Sequence, residues 1–64
     1  MSSTQQIERL KTEGYQVQIR TRGDKWQVTT WKEPMTPQNT ASTHAFQLTN
    51  AVREMLQIRG IPNI

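Results

Sequence analysis

The chain has no cysteine, a single histidine and only four aromatic side chains among its 64 residues. Without cysteine there are no disulfides and no thiolate metal sites, which leaves oligomerisation or docking on a partner as the device that props up a small core. His44 has no second imidazole at helical spacing with which to share a metal. The acids Glu8, Glu13, Asp24, Glu33 and Glu54 are too scattered to form an oxygen cluster for calcium or magnesium. No stretch approaches the ~20 apolar residues of a membrane-spanning helix. Residues 1–10 show no basic start followed by an apolar run, so no signal peptide is expected. The absence of cysteine also fits a reducing compartment. A soluble, cytoplasmic protein with no cofactor and no membrane partner is the expectation.

Apolar residues are scarce as well, at 33% with a mean hydropathy of −0.79. A domain this short buries only about 60% of the surface its unfolded chain exposes. Ordering the chain costs roughly 1.5 kcal/mol per residue, so a monomer comes out near zero. Self-association into a homodimer is the expected remedy.

Catalysis finds little support. A nucleophile needs a base within reach and a third group to orient that base. His44 is the one obvious base, and its neighbours Ser42 and Thr43 are better explained as helix caps. Gly14, Gly23 and Gly60 each have a local structural task, so no phosphate-cradling glycine loop remains. We expect neither an enzyme nor a small-molecule substrate.

What the chain does have is a hairpin over about residues 15–32. With Gly23-Asp24 as a two-residue turn, glycine takes the first central position, where positive φ is needed. Arg22 then faces Lys25, Thr21 faces Trp26, Ile19 faces Val28 and Val17 faces Thr30. Tyr15, Val17, Ile19, Trp26 and Val28 share one face. The other carries Gln16, Gln18, Arg20, Arg22, Lys25, Gln27, Thr29 and Trp31. The turn also explains the adhesion-like tripeptide Arg22-Gly23-Asp24 as turn chemistry.

Two helices are expected around this hairpin. A short one over about 4–13 has Ser3 or Thr4 as cap, Ile7 and Leu10 on one face, and Gly14 at its end. A second runs over about 43–59, where Ala45, Leu48, Val52, Met55 and Leu56 recur at three- and four-residue spacing. Its cap is Ser42 or Thr43, although Thr36-Pro37 is a cap-and-first-position pair that could begin it earlier. Gly60, Ile61 and Pro62 mark its exit. Between them, residues 33–42 read as a loop because Pro34 and Pro37 sit among small polar residues. The expected fold is one α+β domain over 1–64 in the order αββα. A two-stranded antiparallel hairpin packs on a C-terminal amphipathic helix, with the short N-terminal helix closing one end. A lone hairpin is marginal in water, so its edge must be extended or both faces covered.

Two aromatics break the pattern. Trp31 lies on the polar face of the hairpin, where the first helix could fold back over it. Phe46 lies about 100° round the helix from Ala45, off the apolar stripe, unless it staples the helix start. Large aromatics on a wet face mark contact surfaces.

The formal charge is +3, and the hairpin accounts for it. Arg20, Arg22, Lys25 and Lys32 face only Asp24 there, whereas elsewhere Arg9, Lys11, Arg53 and Arg59 are balanced by Glu8, Glu13, Glu33 and Glu54. The expected function is a non-catalytic interaction module, homodimeric, that binds a protein partner. The alternative is a small nucleic-acid-binding protein that uses the basic face. The candidate surface is Gln18, Arg20, Arg22, Lys25, Gln27, Trp31 and Phe46, since Arg and Gln can read base edges and Trp can stack on an unpaired base.

Overall fold

The computed structural model describes residues 3–62, so residues 1–2 and 63–64 of the expected domain lie outside it. Five elements follow in chain order: α1 (Ser3–Thr12), β1 (Gln16–Arg22), β2 (Lys25–Trp31), β3 (Ala41–Ala45) and α2 (Leu48–Ile58). The strands form one antiparallel sheet in the order β1-β2-β3. α1 rests on α2 and β1, and α2 also rests on β2 and β3. Both helices therefore lie on the same side, giving a slab of 30 × 26 × 15 Å.

The hairpin has the register that its turn dictates. Arg22 opposes Lys25, Thr21 opposes Trp26, Ile19 opposes Val28 and Val17 opposes Thr30. Gly23 has φ of +63°, while no residue other than glycine takes positive φ among the described residues. Because side chains alternate along a strand, that one turn fixes which face each residue occupies. Val28 and Thr30 are fully buried on the helix side.

The sequence reading needs correcting after the hairpin. The sheet has three strands, not two, and the order is αβββα. Residues 41–45 form β3 rather than the end of a loop and the start of a helix, and α2 begins five residues later than expected, at Leu48. Gln47 precedes it with extended backbone (φ −116°, ψ 137°) and makes no side-chain capping bond. Ser42 and Thr43 are strand residues, not caps. The physical reason is the open edge of β2, whose backbone groups need partners. β3 supplies them, with Val28 opposite Thr43 and Trp26 opposite Ala45. Thr43 faces the core, and its buried hydroxyl donates to the Ala51 carbonyl at 2.7 Å. That bond ties β3 to α2.

The segment before β3 is held by side chains. Asn39 Nδ2 donates to the carbonyls of Lys32 and Pro34 at 2.9 and 2.8 Å. Thr36 N–H donates to Asn39 Oδ1, and the Thr40 hydroxyl donates to the Thr36 carbonyl. No helix begins at Thr36-Pro37. The Glu33-Pro34 peptide is cis.

The buried core is Leu10, Val28, Ala51, Val52, Met55, Leu56 and Ile61, flanked by half-buried Ile7, Tyr15, Val17, Ile19, Ala41, Ala45 and Leu48. α1 is already formed at Ser3, the first described residue, and it buries Gln6 beside Leu10. The first helix does not fold over Trp31; it occupies the opposite side of the sheet.

Both helices stop in the same way. After α1, Gly14 N–H donates to the Lys11 carbonyl and Tyr15 N–H to that of Leu10. After α2, Gly60 donates to Gln57 and Ile61 to Leu56, at 3.1 and 2.9 Å, which folds buried Ile61 back onto the core. These paired bonds satisfy carbonyls that the helix end would otherwise orphan. Gly60 has φ of +71° with nothing within 4 Å of an added Cβ. Gly60→Ala should therefore cost about 1 kcal/mol, from backbone strain alone, read as a lower urea midpoint at unchanged slope. A neutral substitution would show that the exit relaxes into another conformation.

Candidate functional site

With both helices on one side, the other face of the sheet is left uncovered by any helix. Its residues form cross-strand rows, because partners in a ladder point the same way. Gln16 stands beside Trp31, Gln18 beside Thr29 and Ser42, Arg20 beside Gln27 and His44, and Arg22 beside Lys25. Phe46 follows Ala45 at the end of β3, next to the Lys25 corner. Neighbouring strands lie about 4.8 Å apart and same-face residues about 6.7 Å apart along a strand. The face is polar at its centre, cationic at the hairpin tip, and bounded by an aromatic at two opposite corners.

Specific contacts order these side chains. Gln18 accepts from Arg20 Nη2 at 2.9 Å and Nε at 3.2 Å when its amide oxygen faces the guanidinium, the orientation that satisfies both groups. Thr29 and Ser42 hydroxyls share a 3.0 Å hydrogen bond across the sheet. Trp31 is half-buried, and its Nε1 donates to Glu33 Oε1 at 3.3 Å. Lys25 Nζ lies 5.2 Å from the centroid of the Phe46 ring, and Phe46 is 65% exposed.

All seven candidate residues fall on this face or at its rim. Gln18, Arg20, Arg22, Lys25 and Phe46 are exposed, and Gln27 and Trp31 are half-buried. Phe46 is there for a different reason than the helical wheel implied. It sits in the link between β3 and α2, not on a helix, one residue before the Gln47 cap, and most of its ring surface is exposed. Sequence reasoning missed Ser42 and His44, which only β3 brings to the face, and Arg53, which borders it from α2. The alternation in Ala-Ser-Thr-His-Ala was the available signal, and it is faint because none of these residues is a large apolar strand former.

The electrostatics follow from placement. The rows from Gln16 to His44 contain Arg20, Arg22 and Lys25 but no carboxylate, so their potential is positive. Asp24 lies in the turn, and Glu33 lies past the end of β2 at the Trp31 corner. The positive charge is thus concentrated in the half of the face nearer the turn, on Arg20, Arg22 and Lys25, with Asp24 at the turn itself.

A groove of about 610 Å³ opens beside this tip, lined by Lys25, His44 and Phe46 and by Asn50, Arg53 and Gln57 of α2, among others. Comparison with known proteins finds no matching family model, no matching curated protein and no matching solved structure. No helix among the described residues is long and apolar enough to cross a membrane.

Proposed function

We propose that the protein is a small, non-catalytic binding module that holds nucleic acid on the open face of its sheet. The observation that carries this reading is the uncovered face with Arg20, Arg22 and Lys25 on it and no carboxylate in its rows. A polyanion gains from such a surface by releasing counterions, whereas an ordinary solvated face intersperses both signs. Gln18, Gln27, Ser42 and Thr29 add hydrogen-bonding groups beside the cations.

The test is an amide-resolved titration with single-stranded and duplex oligonucleotides at low and physiological salt. Shifts should map to β1, β2 and β3 residues of the open face. Three phosphate contacts at about −0.7 each give a log–log salt slope near −2 for a single strand. Arg22→Ala should reduce that slope by about 0.7 and weaken all sequences alike. Arg22 is exposed next to the turn, so its loss should leave the fold intact. Salt-insensitive or absent binding sinks the proposal.

A second reading is a homodimeric module for a protein partner. It is favoured by β1 and β3, which form the two edges of the sheet and can pair with another chain. The case for obligate self-association is weaker than composition implied, because α1 closes a buried core within one chain. Sedimentation would show this second reading as a species of twice the 7.4-kDa chain mass.

A further inference from the structure

We infer that the groove beside the hairpin tip receives an unpaired nucleotide, stacked on Phe46, which makes the protein a binder of single strands in preference to duplex. This rests on the nucleic-acid reading and names the class of ligand. Phe46 is 65% exposed, more than the other exposed large hydrophobic residues Met35 and Ile58. Its ring lies where the cationic face turns over the end of β3 towards α2. Phe46 belongs neither to the buried core nor to the half-buried residues packed against it.

The chemistry around the ring matches the parts of a nucleotide. A base has a π-face for Phe46, hydrogen-bonding edges for Asn50 and Gln57, and a phosphate for Lys25 and Arg53. Asn50, Arg53 and Gln57 recur at three- and four-residue spacing, so they project as one stripe of α2 along the groove. Glu54 is the carboxylate there, which leaves the lining net positive. The groove volume of about 610 Å³ lies within the range of ligand sites.

Lys25 now lies over the Phe46 ring at 5.2 Å. An incoming base would take that face and release the ammonium to a phosphate. The exchange is favourable, because base–aromatic stacking outweighs an exposed cation–π contact. In a duplex the bases are already stacked on each other, so the ring gains nothing and only the phosphate contacts remain. Phe46 thus supplies discrimination between strand states, while Arg20 and Arg22 supply attraction.

The experiment measures affinity of the full chain for a ten-residue oligothymidylate and for a blunt duplex of equal length, each across one series of salt concentrations from low to physiological. It uses the wild type, Phe46→Ala, Phe46→Trp and Arg22→Ala. Phe46→Ala should lose about tenfold in single-strand affinity with an unchanged salt slope and little change towards duplex. Phe46→Trp should retain or improve single-strand binding, and Phe46 ring protons in the wild type should shift upfield on binding. If the wild type binds oligothymidylate but Phe46→Ala binds it equally well, the inference fails while the open-face reading survives. If duplex binds as tightly as the single strand, the inference likewise fails. If the wild type binds neither, both fall.

Discussion

Leu10→Ala should remove about 2–5 kcal/mol, a large share of the chain's stability at 25 °C. Stability of about 0.05–0.15 kcal/mol per residue puts a 64-residue chain at roughly 3–10 kcal/mol. Truncating a fully buried leucine removes about 2–5 kcal/mol, and Leu10 is 0% exposed. The position matters as much as the size. α1 has ten residues, too few to be stable alone in water. It persists because Leu10 and half-buried Ile7 reach a cluster shared with Val28, Val52, Met55 and Leu56.

Losing Leu10 therefore loosens the helix and opens the core beneath it. Unfolding should stay cooperative, with helical circular dichroism and tryptophan fluorescence falling together. In urea the midpoint should drop by about 2 M or more, given a slope near 1 kcal/mol/M for a small domain. A loss below about 1 kcal/mol, or helix loss well before fluorescence change, would mean that α1 is an accessory and that sheet and α2 stand without it.

How much of this was legible beforehand varies with the physics of each element. The hairpin could be read to the residue because its information is local: one glycine-led turn sets the register, and the alternation assigns the faces. Both helix exits were equally local, with Gly14 and Gly60 each followed by a hydrophobic residue that returns to the core. β3 was not local. Ala41 to Ala45 contains no large apolar residue, and Ser42 and Thr43 favour helix caps by their own chemistry. The segment is a strand because β2 offers it an edge and because Thr43 finds the Ala51 carbonyl, both settled only in three dimensions.

The candidate site inherits that division. Gln18, Arg20, Arg22, Lys25, Gln27 and Trp31 came with the hairpin register. His44, Ser42 and the groove around Phe46 depended on β3. A two-stranded hairpin is marginal in water unless its faces are covered or its edge is extended. The protein extends one edge with a strand, covers one face with helices and leaves the other face open.

Arg59→Ala should destabilise the protein by about 2–3 kcal/mol, although arithmetic on the sequence treats Arg59 as one more charge balanced by a glutamate. Its Nε donates to the Thr30 hydroxyl at 3.0 Å, and Nη2 donates to the Thr30 and Asn39 carbonyls, each at 2.8 Å. The guanidinium also lies 4.5 Å from the centroid of the Tyr15 ring. Thr30 is fully buried, and its hydroxyl in turn donates a hydrogen bond to Met55 Sδ at 3.0 Å. One side chain at the end of α2 thus joins the last residues of β2, the Asn39 segment and the entrance to β1.

Hydrogen bonds from a charged donor contribute about 1.5–3 kcal/mol, and removing the donor leaves buried acceptors without it. Lysine cannot replace the planar fork that reaches Thr30 and Asn39 together. Arg59→Lys should therefore recover less than half of the loss. Amide exchange should rise first around residues 36–40, because the Asn39 carbonyl loses its anchor while its side chain still holds Lys32 and Pro34. If Arg59→Lys equals the wild type in urea, charge at the end of α2 accounts for the effect and the fork is incidental. If exchange around 36–40 stays unchanged in Arg59→Ala, the segment is held by Asn39 and Thr36 alone. The expected pattern is the reverse in both measurements: a large loss for alanine, a partial one for lysine, and loosening that starts at Asn39 and reaches the sheet through Thr30.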